Sequence, residues 1–226
     1  MRNTTRKLIA FVALAYAFFI VTSQFAVAET VTTIPIVNLP NLDAVGGGAV
    51  STIVRDTGGV TVTMHTTLEP GPHTLWLLVW NNPSGCASTP CTPPPSGGSD
   101  PPDSVIYAGG NLIISTGRAE YGVRLDVGDT SDIIGGREQL GLTNPAGGEV
   151  HAVLRSKGAI IPDRLEEQLS NFEGGCDVNQ CANVQAAAHL PGGPSQTMMQ
   201  LDDLQTAIDT MEEALSRLMV RNGLVP

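Results

Sequence analysis

Aromatic and basic residues are scarce in this chain of 226 residues. Aromatic residues make up 4% of it, which argues against a carbohydrate surface built from stacked rings. Lysine and arginine number 12 against 22 aspartates and glutamates, for a net charge of −10. A surface of this sign repels phosphate backbones and anionic lipid. We therefore expect no nucleic-acid partner and attribute the acidity to solubility outside the cell.

Long apolar runs are absent beyond the N-terminal segment, so no later stretch could supply the roughly 20 apolar residues of a membrane span. The segment itself has a basic start, an apolar run over residues 8–21 and an Ala-x-Ala ending at Ala28, the parts of a secretory signal peptide. We predict cleavage after Ala28, a secreted or periplasmic protein starting at Glu29, and no membrane association afterwards. A retained N-terminal anchor is the alternative, because residues 10–20 are strongly apolar.

Cysteine is also sparse, and its four residues form two local pairs, Cys86 with Cys91 and Cys176 with Cys181. Local, even-numbered pairs in an exported chain predict disulfides that close loops. The alternative, a zinc site, would favour tighter spacing and a nearby histidine, and neither pair encloses one. The first bridge would pin the base of a Pro/Gly/Ser-rich loop over residues 81–103.

The clearest pattern present is the stretch from Gly58 to Trp80. Apolar and polar residues alternate over residues 60–68, which is the two-residue period of a half-buried strand. A Glu-Pro-Gly-Pro turn follows at residues 69–72. Residues 75–80 are apolar at every position, so the returning strand should be covered on both faces. The stretch predicts a central antiparallel pair of strands.

Similar signals predict further strands on both sides of this pair. They fall at residues 49–55, 105–107, 112–114, 118–127, 149–155 and 182–190, and a short helix runs from Pro162 to about Phe172. Together they predict a mainly β fold, an antiparallel Greek-key-like β-sandwich of about seven or eight strands over residues 49–190. Residues 29–48 lack a sustained period and are expected to form a loosely ordered lead-in.

The tail, residues 191–226, is a Gly/Pro linker followed by apolar residues three and four apart, which predicts a C-terminal amphipathic α-helix over about 197–221. Its stripe contains Leu201, Leu204, Ile208, Met211, Leu215 and Leu218. The last five could support self-association with the same helix of a second copy. Packing on its own sandwich is favoured, because the all-apolar strand at residues 75–80 needs a cover.

The stretch LEPGPH at residues 68–73, followed by an apolar strand and a cysteine loop, resembles the corresponding hairpin of copper-zinc superoxide dismutases and of the chordin-type (CHRD) secreted domain. The resemblance covers roughly residues 58–86 and implies a Greek-key sandwich. Two copper ligands of the dismutase pattern would fall at Trp76 and Leu78, so the resemblance argues against the enzyme. A closer likeness, to uncharacterised secreted bacterial proteins with LWxxVxNNPxxC, GEVHxVxRxxG and CANVQ stretches, implies no activity.

The candidate ligand residues are His65, His151 and His189. His65 and His151 are expected on outward strand faces, and neighbouring strands would bring them to one metal with a carboxylate. Surface histidines without a ligand are the competing interpretation. The last strand is expected to place Val184, Ala186 and Ala188 on one face, and Asn183, Gln185 and His189 on the other. Trp76 and Trp80 share a strand face and form a candidate aromatic platform, with core packing as the alternative.

No motif of nucleophilic catalysis is present: the chain has no Gly-x-Ser-x-Gly elbow and no histidine pair with HxH or HxxxH spacing. The glycine run at residues 46–48 neither follows a strong strand nor opens a helix, so it is a poor phosphate cradle. We expect a non-enzymatic exported protein with a structural or binding role and no cofactor. The alternatives are a small metal-binding protein or metalloenzyme on a dismutase-like sandwich, and an enzyme whose groups come from loops such as 128–148.

Overall fold

The computed structural model describes residues 29–93, 98–172, 174–176 and 181–192. Within these ranges the chain is mainly β, with ten strands in two antiparallel sheets that pack as a sandwich. The predicted fold class is confirmed. The predicted signal peptide and C-terminal helix lie outside the described residues. Among those described, no helix is long and apolar enough to cross a bilayer.

The strands are β1 (Thr30–Pro35), β2 (Val37–Asn38), β3 (Val50–Asp56), β4 (Gly59–Leu68), β5 (Gly71–Trp80), β6 (Ser104–Ile113), β7 (Gly117–Asp126), β8 (Ile133–Gly135), β9 (Glu149–Ser156) and β10 (Ala182–His189). The four-stranded sheet has the order β1-β3-β4-β7, and the six-stranded sheet has the order β2-β10-β9-β5-β6-β8. Short 3₁₀ turns occupy Pro83–Gly85 and Pro162–Arg164, and the helix α1 spans Leu165–Ser170.

The central stretch forms β4 and β5 as predicted, but these strands do not pair with each other. β4 lies between β3 and β7 in one sheet, whereas β5 lies between β9 and β6 in the other. The turn at residues 69–72 therefore carries the chain across the sandwich, with Gly71 at a φ of 138° that favours glycine. This arrangement lets the apolar faces of both strands meet in one core.

The core lies between the two sheets and follows the two-residue period of the strands. Val60, Val62 and Met64 of β4 and Leu75, Leu77 and Val79 of β5 are all fully buried in it. Burying a side chain of this size stabilises the fold by roughly 1.5–3 kcal/mol. The hairpin stretch thus supplies both walls of the core.

The outer face of β5 is covered too, as its apolar sequence predicts. Trp76 packs against Phe172 and Tyr107, with ring centroids 5.0 and 5.3 Å apart. The Tyr107 hydroxyl donates a hydrogen bond of 2.6 Å to the Leu169 carbonyl, which fixes α1 over β5 and β6. Helix α1 and Phe172 after it therefore cover the outer face of β5. The sequence analysis predicted this role for residues 197–221, which lie outside the described residues.

The expectation of a loosely ordered lead-in is wrong. β1 pairs with β3 along its whole length, from Thr30 opposite Arg55 to Pro35 opposite Val50, and β2 pairs with β10. Ile36, between them, is fully buried in the core. The sequence of β1 shows no clear alternation of apolar and polar residues, because it contains three threonines and Pro35. The proline is tolerated because β1 is an edge strand.

Three further segments differ from the sequence expectations. The two short strands expected at 105–107 and 112–114 are one strand, β6, with a register shift against β5 near Gly109. The loop over residues 128–148 contains the short strand β8. In β10 a register shift between Asn183 and Gln185 places these two residues on opposite faces of the strand, although they are two residues apart. As a result Gln185, Ala187 and His189 are buried, and the expected face of Val184, Ala186 and Ala188 is only half-buried.

Candidate functional site

Both cysteine pairs are disulfides, with Cα–Cα distances of 5.5 Å for Cys86–Cys91 and 5.4 Å for Cys176–Cys181. The predicted pairing is confirmed. The first bridge does more than close its own loop, because the backbone N–H of Cys91 donates a 2.7 Å hydrogen bond to Oε1 of Glu149. The cysteine loop (residues 81–103) is thereby attached to the start of β9.

Glu149 is a buried carboxylate beneath this loop, with 1% of its side chain exposed. Its Oε1 also lies 2.5 Å from Nε2 of His151. The His151 ring packs on Trp80, with the centroids 4.6 Å apart. His151 does face away from the core, as predicted, but its side chain is only 12% exposed, between Glu149 and the Trp80 ring. The pair holds the loop on the sheet.

His189 lies between the two sheets, where Nε2 is 2.8 Å from the Ser51 hydroxyl and the ring is 1% exposed. Arg55 approaches from β3 and donates to the carbonyls of His189 and Pro145. Burial, then the Arg55 charge, then His151 lower the pKa of His189 to about 3. A neutral, buried ring beside a fully buried hydroxyl has no access for substrate, so this Ser–His contact is structural.

His65 is the exposed histidine, on the outer face of β4. Its Nδ1 is 3.8 Å from Oε1 of Glu120 on β7, and both side chains are more than half exposed. A surface opening of about 390 Å³ lies beside this pair, lined by the Gly47–Gly48 turn and Arg118. One exposed imidazole and one exposed carboxylate are fewer ligands than the three or four of a protein zinc site, so the geometry matches an ordinary surface contact.

The candidate histidines do not come together. His65 lies on β4 and His151 on β9, in different sheets, so the condition for their convergence on one metal is not met. His73 sits in the crossing turn, where Nδ1 is 3.0 Å from the Gly71 carbonyl and burial lowers its pKa. Within the described ranges, no group of three His, Cys, Asp or Glu side chains is placed to hold a metal ion.

The candidate aromatic platform is buried. Trp76 is 0% and Trp80 is 2% exposed. Each indole N–H is also satisfied inside the protein, by the Thr74 hydroxyl at 2.7 Å and the Asp100 carbonyl at 3.0 Å. Buried Trp N–H groups normally find such partners. The rings fasten α1 and the cysteine loop to the six-stranded sheet and offer no face to a ligand.

An acidic cleft of about 410 Å³ opens between the cysteine loop and residues 136–143. Asp103, with a side chain 3% exposed, accepts hydrogen bonds from the Asn81 backbone N–H at 2.8 Å and from Arg137. Asp100 accepts from the backbone of the loop through Oδ1, while Oδ2 is buried without a partner among the described groups. These two carboxylates of the cleft are thus buried or bonded within the protein, and Arg137, whose side chain is about half exposed, is bound to Asp103.

Sequence reasoning missed the buried polar residues. Arg55 and Lys157 are 3% and 1% exposed. Burial lowers the pKa of Arg55 to about 10, with the Glu149 charge opposing the shift. The Lys157 ammonium donates to the carbonyls of Asn171, and of Phe172 at 2.7 Å, just beyond α1. The sequence did indicate the burial of Arg55, because it follows Ile53 by two residues and therefore lies on the same, buried face of β3.

Family models, curated proteins and solved structures were compared with this chain, and none of the three comparisons gave a match.

Proposed function

We propose that this chain is an exported, non-catalytic β-sandwich protein with a structural or binding role. Two disulfides support an oxidising compartment, since such bridges persist outside the cytosol. The signal-peptide pattern ending at Ala28 supports export through a secretory pathway. The likeness of residues 58–86 to the chordin-type secreted domain supports the same setting, and their likeness to dismutases supports the sandwich fold.

The observation that carries the non-catalytic role is the dispersal of the side chains able to do chemistry. Ser51 and His189 are sealed between the sheets. On one outer face Glu149 binds both the cysteine loop and His151, and His65 lies on the other outer face. A general base must reach its substrate proton within about 3.2 Å or through one water. Each of these groups is instead engaged in holding the fold or stands alone.

The competing function is a small metalloprotein on the same sandwich. It would need three or four ligands at metal-bonding distance. The described geometry supports the non-catalytic role, because the three candidate histidines are far from sharing a site. His65 lies on the outer face of one sheet, His151 on the outer face of the other, and His189 between the sheets.

Thermal unfolding with added Zn²⁺ or Cu²⁺ separates the two functions, because a ligand that binds only the native state raises the melting temperature. We expect no saturable rise for the exported chain. A rise that saturates at one metal per chain, and disappears in His65→Ala or His151→Ala, would establish the metalloprotein instead.

Sequencing the N-terminus of the exported fraction tests the compartment. The mature chain should begin at Glu29. Recovery of the chain from membranes with Met1 intact would show that the segment is an anchor.

A further inference from the structure

β7 is a long, open edge of the four-stranded sheet. Its ten residues, Gly117–Asp126, pair with β4 on one side. On the other side no strand pairs with them among the described residues. The edges of the six-stranded sheet are, by contrast, the two-residue β2 and the three-residue β8. An exposed edge of ten residues is a template for another strand unless side chains oppose it.

The hydrogen-bonding groups on this edge belong to the even-numbered residues. Just past β7, the Val127 N–H donates to the Gly58 carbonyl on the β4 side, and the Gly128 N–H donates outward to Leu142. Backbone groups alternate in direction along an antiparallel ladder. The groups of residues 118, 120, 122, 124 and 126 therefore point to the open side. Leu142 closes that side only beyond Asp126.

The same five residues are all solvent-exposed, and their charges have a symmetrical order. They read Arg118, Glu120, Gly122, Arg124 and Asp126, so each charge is mirrored across Gly122 by the opposite sign. If a second β7 pairs antiparallel with Gly122 opposite Gly122, Arg118 faces Asp126 and Glu120 faces Arg124. Opposite charges directly across a strand pair are attractive.

Other registers place like charges face to face. A shift of two residues sets Arg118 opposite Arg124 in one direction and Glu120 opposite Asp126 in the other. A shift of four sets Glu120 opposite Glu120, or Arg124 opposite Arg124. Shifts by odd numbers bring the outward-pointing backbone groups opposite residues whose own groups point to β4, so no ladder forms. The charge order thus selects the register centred on Gly122.

Gly122 itself is an independent sign of a close partner. Glycine weakens a strand interior and often marks a bulge or a close approach of another backbone. The β4–β7 register is continuous through Gly122, so there is no bulge. A Cβ placed there would meet only Thr63 Cγ2, at the ordinary distance of 3.9 Å, so its own chain does not require glycine.

We propose that two copies of this chain dimerise through antiparallel pairing of β7 with β7, centred on Gly122. The contact is isologous, as in most homodimers. It joins the two four-stranded sheets into one continuous sheet. Within its own chain Arg124 already contacts Asp56 on the β4 side, at 2.6 Å, and Asp126 two residues along β7, at 2.9 Å. This proposal is independent of the compartment and of metal binding, so either can fail without the other.

A charge-exchange experiment tests the register, with the mass of the exported chain measured by sedimentation. Wild type should be a dimer that dissociates on dilution. Arg118→Glu places two carboxylates across the axis on each side, and Asp126→Arg places two cations there. Each variant alone should raise the dissociation constant about tenfold or more. Mixed in equal amounts, the two variants should form a heterodimer, because their charges are again opposite.

Two matched variants keep the result interpretable. Arg164→Glu makes the same change of net charge as Arg118→Glu at an exposed residue just before α1, outside the four-stranded sheet, and should leave the dimer intact. Gly122→Pro removes a backbone N–H that points to the open edge and is not bonded to β4. The variant should therefore keep the fold, as checked by circular dichroism, but lose the pairing of β7 with β7. A wild type that is monomeric at all concentrations overturns the proposal. So does a dimer that survives Arg118→Glu and Gly122→Pro but is lost when Ile208 and Leu215 are made aspartate.

Discussion

His189 should make this protein less stable as the pH falls from 7 to 5. Burial, aided by the Arg55 and His151 charges, lowers the pKa of His189 from 6.5 to about 3. The unfolded chain takes up this proton near pH 6.5, whereas the native ring stays neutral until about pH 3. The associated stability is therefore complete above pH 6.5 and is lost as the pH drops through the window between these values.

The size of the effect follows from this window. One pH unit well inside it changes the free energy of unfolding by about 1.4 kcal/mol. Between pH 7 and 5 the loss integrates to about 2 kcal/mol for one histidine with an ordinary pKa when unfolded. The result depends little on the native pKa, provided that it lies well below 5. His73, whose pKa burial also lowers, adds a loss of the same sign.

Urea denaturation at pH 7 and pH 5 measures the difference, with His189→Gln as the test variant. Glutamine can keep a hydrogen bond to Ser51 but does not titrate. The variant should lose about 2 kcal/mol less than wild type between the two pH values, while His73 contributes equally to both. Equal pH dependences for wild type and His189→Gln would refute the reasoning.

Three further predictions concern stability. Glu149→Ala should cost about 3 kcal/mol or more, because the Cys91 N–H loses its buried acceptor, whereas exposed Glu166→Ala should change urea stability by less than about 0.5 kcal/mol; equal effects would contradict the buried role. Lys157→Met should cost about 2 kcal/mol and speed amide exchange in α1, and unchanged exchange would show that the ammonium does not hold the helix end. Replacing Cys86 and Cys91 by serine should cost about 2–3 kcal/mol by calorimetry, and no loss of melting temperature would mean that the bridge adds no constraint.

Strand positions could be predicted from the sequence because burial imposes a period of two. The alternation over β4 and β7 and the apolar run of β5 all mark strands that the structure contains. Pairing could not be predicted in the same way. A turn such as residues 69–72 looks the same whether it joins partners in one sheet or crosses to the other, and only the fit of the whole core decides.

The buried polar groups are the part that the sequence reasoning missed. Strand parity would have placed Arg55 inside with Ile53, but a charged residue is expected outside without knowledge of its partners. The sequence pattern places His189 on the same strand face as the exposed Asn183. The register shift between Asn183 and Gln185 instead puts Gln185 and His189 on the face that points into the protein. Glu149 and His151 are two residues apart on one strand, so their contact follows from the strand period. The contact of Glu149 with the Cys91 N–H depends instead on where the cysteine loop packs against β9, which spacing along the chain does not encode.

We propose that the histidines of this sandwich and their carboxylate partners bind no resident metal, and that the buried ones hold its structure. The most direct test is the metal-to-protein ratio of the exported chain, purified without chelator or added metal and measured by plasma mass spectrometry. Far less than one copper or zinc per chain is expected, unchanged in His65→Ala and His151→Ala. One metal per chain in wild type, lost in either variant, would contradict the claim.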